Sequence, residues 1–238
     1  MGQAWVAGID ESGPGTLAGP VLAVCVLMEH PYAGEVLPAN AKGWRGWWPL
    51  GGVRDAKRLG SRRCAAVASD LARWVVGRGG TIGIGLVGAK RRIERGEKAA
   101  LAQAHADALR DAIGQWRTAS SVPEDGPRPR PAVVLVDGLR GVSGYAGRQI
   151  RAAGADRTLF LVAAASILAR ALRDQEMVRL DDQYPGWDLA RHKGAALTEH
   201  LRELRERGPG PAHIPHLVER ALRREEARRQ AVRVTAAA

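Results

Sequence analysis

The chain has 238 residues, of which 45% are hydrophobic and 26% are charged, so it can bury the core of one large or two small soluble domains. A formal net charge of +11 favours polyanionic partners, with nucleic acid first and acidic membrane surfaces second. No apolar run approaches the length of a membrane span, and the two cysteines, Cys25 and Cys64, lack zinc-site spacing. We therefore expect a monomeric, cytoplasmic protein that binds nucleic acid and does not enter a membrane.

The N-terminal stretch combines a strand with an acidic pair. Residues 5–9 form a short apolar run, Asp10 and Glu11 follow it, and residues 12–15 make a turn of small residues. Because adjacent strand residues point to opposite faces, both carboxylates can face one way only if the strand ends there, and the glycines permit that end. A second apolar run, residues 21–27, is predicted to pair with the first. A solvated surface hairpin is the alternative interpretation of the pair.

The later part of the chain alternates between strands and helices. Apolar runs predict strands over residues 81–87 and 132–136. Helical periodicity predicts helices at residues 64–76, 98–113, 160–182, 198–207 and 216–233. Residues 83–88 match the G-x-G-x-x-G dinucleotide pattern, but they lie within a predicted strand, so we interpret the match as accidental. Residues 29–52 are interpreted as a tryptophan-rich insertion that covers the sheet, with base stacking as the alternative.

Two further carboxylates complete a possible metal centre. Asp137 follows the apolar run at 132–136, and Asp156 follows a glycine-rich, basic stretch. Carboxylates that cluster raise each other's pKa, and a bound cation relieves their repulsion. Oxygen ligands suit Mg²⁺ or Mn²⁺, and two such ions can activate a water and stabilise the leaving oxygen of a phosphodiester. Together with Asp10 and Glu11, these residues predict a metal-dependent hydrolytic centre in a protein whose basic surface attracts a polyanion.

Six motifs, in order, resemble those of the type 2 ribonucleases H, the ribonuclease HII family. The family pattern D-E-A-G-R-G-x-L-A-G-P-V resembles DESGPGTLAGPV at residues 10–21. The other resemblances are D-S-K-K-L at 55–59, V-D-G at 136–138, G-D-A-K-S with its following helix at 155–174, Y-P-G-Y at 184–187 and H-K-G-Y at 192–195. The resemblance runs from residue 5 to residue 213, and the motifs keep their order and spacing.

The resemblance implies a ribonuclease-H-like α/β fold, with a mixed five-stranded sheet flanked by helices and a helical C-terminal region. We expect one domain over residues 1–238, with a catalytic core at 5–182 and a helical extension at 183–238. The implied catalytic and metal-binding residues are Asp10, Glu11, Asp137 and Asp156, with Mg²⁺ or Mn²⁺ as cofactor. The implied substrate-binding residues are Gly13, Pro14, Gly15, Lys57 and Lys193.

The implied reaction is endonucleolytic hydrolysis of RNA in RNA–DNA hybrids, or at a ribonucleotide embedded in duplex DNA, leaving 3′-hydroxyl and 5′-phosphate ends. Several substrate contacts of the family are changed: its arginine between two glycines is Pro14 here, and its tyrosine after H-K-G is Ala195. Two hypotheses follow, a working nuclease with altered substrate choice and a nucleic-acid-binding protein with weak or lost ribonuclease activity. Retention of all four carboxylates favours the nuclease, since a pure binder gains nothing from negative charges facing a polyanion.

Overall fold

A mixed sheet of five strands forms the centre of the computed structural model, which describes residues 4–30, 60–119 and 130–237. The strands are β1 Ala4–Ser12, β2 Val21–His30, β3 Thr81–Val87, β4 Val133–Asp137 and β5 Gln149–Ala152. Their order in the sheet is β3-β2-β1-β4-β5. Strand β2 is antiparallel to both of its neighbours, β1 and β3, and strand β4 is parallel to both of its neighbours, β1 and β5. The predicted five-stranded mixed sheet and the pairing of the first two strands are confirmed.

Helices cover both faces of this sheet. They are α1 Ser61–Val76, α2 Ala89–Arg95, α3 Glu97–Ala119, α4 Phe160–Gln183, α5 Leu189–His192, α6 Thr198–Arg207 and α7 Pro215–Ala237, with a 3₁₀ helix at Ala155–Arg157. The five helices expected from periodicity are all present, and α2 and α5 are additional short helices; α5 ends at His192, where a loop was expected. None of the described helices is both long and apolar enough to span a membrane.

Two apolar clusters lie on opposite sides of the sheet. One cluster joins the sheet to α1 and α4, and the other joins it to α3. Glycines allow the close approach on each side: a Cβ on Gly8 would overlap the backbone of Leu161 in α4, and a Cβ on Gly83 would overlap that of Ala108 in α3. The predicted strand at 81–87 is confirmed, and its glycines serve helix packing, as expected of an accidental dinucleotide pattern.

The first strand extends past the acidic pair, so the expectation that it ends there is wrong. Ser12 still pairs with Leu22 of β2, which keeps the ladder intact beyond Glu11. Strand alternation therefore persists, and Asp10 faces α4 while Glu11 faces α3. The chain places its two adjacent carboxylates on opposite sides of the sheet.

The C-terminal helical region is joined to the turn that follows β1. The Leu17 amide donates to Gly194 O at 2.7 Å, and the Ile214 amide donates to Leu17 O at 2.8 Å. The Gly19 amide also donates to Ala212 O at 2.9 Å. Residues 31–59 lie outside the described residues, and with them most of the predicted insertion and the motif that contains Lys57.

Candidate active site

Asp10 is a buried carboxyl group near the end of β1. It is 5% exposed, and its Oδ1 accepts a hydrogen bond of 2.8 Å from the Glu11 amide. Burial raises the pKa of Asp10 to about 8; the Ser166 hydroxyl of α4 opposes this shift, and the charges of Glu11 and Asp137 add to it. Among the described residues, no positive charge that stabilises the ionised form of Asp10 accompanies these effects, and a bound cation would supply one.

Asp137 ends β4 beside Asp10. The parallel register pairs Ile9 with Val136, so the two carboxylates follow a matched pair on neighbouring strands. Asp137 Oδ1 accepts a hydrogen bond of 2.7 Å from the Ala155 amide, and this bond ties β4 to the 3₁₀ helix. Asp156, the next residue of that helix, is 3% exposed. Strand β4 thus brings Asp137 to the sheet edge where Asp10 lies, and Asp156 follows in the 3₁₀ helix that is bound to Asp137.

Glu11 occupies the other side of the strand. Its Oε2 lies 2.9 Å from His105 Nε2 of α3, and the histidine side chain is almost fully buried. His105 was not among the site residues predicted from the sequence. The feature that could have indicated it is the position of this histidine among regularly spaced alanines on the buried side of the helix, Ala100, Ala104, Ala108 and Ala112.

The predicted substrate turn projects its tip into solvent. Gly13 is buried with φ 105°, and a Cβ there would overlap the side chain of Arg173. Pro14 and Gly15 are exposed, and the Gly15 amide donates to Glu97 Oε2 at 3.2 Å. This places Pro14 at the accessible tip of a turn whose base is packed against buried groups.

Two buried arginines hold the remainder of that turn. Arg92 Nη1 donates to Gly19 O at 2.6 Å, and its other amino groups form an ion pair with Glu97. Arg173 donates to Pro20 O and Ala18 O, both at 3.0 Å. Burial, followed by the charge of Arg92, lowers the pKa of Arg173 to about 10. The turn is rigid because charged donors from two helices bind its carbonyl groups.

Both arginines also reach Thr16. Arg173 Nη2 donates to Thr16 Oγ1 at 2.9 Å, and Arg92 Nη2 donates to Thr16 O at 3.2 Å. Arg173 occupies a position in a family motif to which the sequence assigned no role, and no sequence pattern indicated Arg92.

Lys193 lies next to the same turn. It has φ 53°, in the left-handed region, and Arg173 Nη1 donates to its carbonyl oxygen at 2.9 Å. Its ammonium group donates to Asp174 O at 3.1 Å, and burial lowers its pKa. A Cβ on Gly194 would lie 2.5 Å from Ala18 O, so the segment is packed directly onto the turn. The structure therefore places Lys193 against the turn that follows the acidic pair.

The residues fit a hard divalent cation by their chemistry. All four predicted ligands offer carboxylate oxygens, and Asp10 combines burial with two negative neighbours. Within the described ranges, no group of three or more His, Cys, Asp or Glu side chains is already arranged around an ion position. Two of the predicted ligands already have protein partners, since His105 binds Glu11 and the Ala155 amide binds Asp137.

The mixed sheet with carboxylates at its strand ends defines an α/β protein of the ribonuclease-H-like class. A crystal structure of ribonuclease H2 from Pyrococcus horikoshii OT3 superposes with a TM-score of 0.56 at 20% identity, covering 92% of this chain and 98% of that one. The structure of Bst-RNase HIII in complex with Mn²⁺ superposes with a TM-score of 0.54 at 18% identity, covering 92% and 65%. These likenesses show the fold.

The family follows from the sequence comparison. The model of the ribonuclease HII family matches residues 7–222. The ribonuclease HII of Halorhodospira halophila is 35% identical over 216 residues, which cover 88% of this chain and 90% of that protein. The chain therefore belongs to the ribonuclease HII family, the type 2 ribonuclease H endonucleases, and the resemblance read from its motifs is confirmed.

Proposed function

We propose that this chain hydrolyses the RNA strand of RNA–DNA hybrids, or the strand at a ribonucleotide embedded in duplex DNA, with divalent metal ions. The observation that supports this proposal most directly is Asp10, a buried carboxyl group whose charged neighbours among the described residues are the carboxylates Glu11 and Asp137. Membership of the ribonuclease HII family supports this assignment. The similar structure of Bst-RNase HIII was solved in complex with Mn²⁺, which supports Mg²⁺ or Mn²⁺ as the cofactor of this chain.

The proposed ligands are Asp10, Glu11, Asp137 and Asp156. Two ions bound there would activate a water and stabilise the leaving oxygen, leaving a 3′-hydroxyl and a 5′-phosphate. Asp10 must be ionised to act as a ligand, so ion binding and loss of its proton are coupled. Ser166 orients Asp10, and the Ala155 amide orients Asp137.

Groups around the centre would bind the substrate. Lys193 lies where its charge can meet a phosphate, although its present partner is the Asp174 carbonyl. The turn tip at Pro14 and Gly15 is the proposed contact with the ribonucleotide, because it is exposed and follows the carboxylates directly. Proline offers neither a cation nor an amide donor, so the backbone around Gly15 would have to recognise the 2′-hydroxyl, the group that distinguishes RNA from DNA.

The test is cleavage of three labelled duplexes in Mg²⁺ or Mn²⁺: DNA with one ribonucleotide, a continuous RNA–DNA hybrid, and all-DNA. We expect the ribonucleotide-containing duplexes to be cut and the all-DNA duplex to remain intact. Asp10→Asn should lower the rate about a thousandfold while the protein stays folded, since the ions contribute several kcal/mol to the transition state. Asp70→Asn, at a half-exposed position of α1, is the matched control and should keep full activity.

Two results would contradict the proposal. Full activity of Asp10→Asn would remove the acidic centre from the reaction. Binding of all three duplexes without cleavage, in either metal, would favour a nucleic-acid-binding protein that has lost ribonuclease activity.

A further inference from the structure

We infer that His105 is a positioning residue for Glu11: its imidazole holds one carboxylate oxygen and directs the other toward the ion of the proposed centre. This inference rests on the proposed function, because it assigns Glu11 a metal-facing oxygen. His105 Nε2 and Glu11 Oε2 are 2.9 Å apart. A carboxylate can only accept, so the imidazole nitrogen donates, and Oε1 is the oxygen that His105 leaves for a ligand.

The partner is needed because Glu11 points away from Asp10. The strand continues through Ser12, so Asp10 faces Ser166 on one side of the sheet while Glu11 faces α3 on the other. A glutamate carboxylate at this rim could adopt several directions, because the side-chain torsions of glutamate are free to rotate. A hydrogen bond from a buried imidazole selects one of them.

A row of small residues brings the histidine to this position. Glu11 pairs with Ala23 of β2, and Ala23 pairs with Gly85 of β3, so the three residues form one row across the sheet. A Cβ on Gly85 would overlap the carbonyl group of Ala104, which shows that α3 lies directly on this row. His105 is the next residue of the helix. Because Ala23 and Gly85 have small or no side chains, the helix lies close enough to the sheet for the His105 ring to reach Glu11.

Burial distinguishes this pair from a surface ion pair. The His105 side chain is 4% exposed and that of Glu11 is 19% exposed, so neither can exchange its partner freely for water. Partners of this kind, which hold a ligand without touching the ion, typically change metal affinity by about 10- to 100-fold. We therefore expect an effect on ion binding that is separable from folding.

The experiment is Mn²⁺ titration of the full chain by calorimetry, with no nucleic acid present, in parallel with thermal unfolding. The variants are His105→Leu, His105→Gln, Glu11→Gln and the double variant Glu11→Gln with His105→Leu. We expect His105→Leu to weaken Mn²⁺ binding about tenfold. His105→Gln keeps a side-chain donor and should recover most of the affinity. In the Glu11→Gln background, His105→Leu should have no further effect, because both substitutions act on the same ligand.

The outcomes separate this inference from the proposed function. If Asp10→Asn weakens Mn²⁺ binding, three results would overturn the inference and leave the proposed function standing. These are unchanged Mn²⁺ affinity in His105→Leu, no recovery of affinity in His105→Gln, and additive losses in the double variant. Equal Mn²⁺ binding by the parent and Asp10→Asn would instead overturn the proposed centre and the inference with it. If His105→Leu does not fold, His105→Met supplies the same loss of donor with a more adaptable apolar side chain.

Discussion

Gly85 of β3 lies directly beneath the backbone carbonyl of Ala104 in α3, close enough that any side chain on Gly85 would overlap it. Gly83 has the same relationship with Ala108, one helical turn further on. The helix therefore contacts the sheet through backbone at two successive positions. This register decides which helix residue stands over the row that ends at Glu11.

Substitution of Gly85 by alanine should push α3 away from the sheet. We expect Gly85→Ala to reduce the free energy of unfolding by about 2–3 kcal/mol, the upper range for overpacking, because a rigid backbone group must move. Gly114→Ala is the control: the site lies in α3, is exposed and has open space, so alanine should stabilise by about 0.5–1 kcal/mol. Urea unfolding measures both, and a similar small change in the two variants would contradict the packing argument.

Arg173 offers a second test, at the turn behind the acidic pair. Arg173→Met removes donors from the carbonyl groups of Ala18, Pro20 and Lys193 in a buried site. We expect a loss of about 3–5 kcal/mol in the free energy of unfolding, since several buried acceptors lose their partners. Arg179→Met, on the exposed side of the same helix, should change it by less than about 0.5 kcal/mol. Equal losses in urea unfolding would show that Arg173 does not hold the turn.

The sequence predicted most elements of this fold because their patterns are local. Apolar runs and helical periodicity identified four of the five strands and the long helices, and the motifs assigned the family, whereas β5 lies in a stretch that was interpreted only as glycine-rich and basic. Whether β1 ends at Asp10 depends on its pairing with β2, so the wrong strand end could not be corrected from residues 5–15 alone. The hydrogen bond between Glu11 and His105 depends on how α3 is positioned across three strands. The two residues are 94 positions apart in the sequence, so no local pattern indicates their contact. Arg92 was missed for the same reason.

Three buried histidines join α5 and α6 to the segment that pairs with the active-site turn. His192 and His200 stack with ring centroids 3.7 Å apart, and His200 Nε2 lies 2.9 Å from His213 Nε2. The Gly210 amide donates to His213 Nδ1, so His213 Nε2 carries the proton and donates to His200. His200 Nδ1 then donates to Ala195 O at 2.8 Å. One arrangement of neutral imidazoles satisfies all of these bonds.

This arrangement predicts an acid-sensitive contribution to stability. Burial lowers the pKa of His200 and of His213 from 6.5 to about 4. Between these values the unfolded chain binds protons that the folded chain does not, so stability is complete above pH 6.5 and falls as the pH drops toward 4. We expect a loss on the order of 2 kcal/mol from each group between pH 7 and pH 5. The raised pKa of Asp10 acts with the opposite sign over the same range, so the contribution of the histidines is the difference between variants in urea unfolding at both pH values. His200→Gln should lose less stability on acidification than the parent protein, whereas the exposed His216→Gln should follow the parent, and equal slopes in both variants would contradict this account.

Pro14 provides a test of the turn as a substrate contact. Pro14 is exposed at the tip of the turn, and Arg92 and Arg173 bind the carbonyl groups at the base of the turn. The neighbouring carboxylates repel phosphate. Pro14→Arg adds a cation and an amide donor there, so we expect tighter binding of a duplex with one ribonucleotide and a salt dependence steeper by about one phosphate contact. Fluorescence anisotropy over a range of KCl concentrations measures both. Ala66→Arg, on the exposed side of α1, adds the same charge far along the chain from the turn. An equal gain in the two variants would mean that net charge alone, rather than the position of residue 14, determines the affinity.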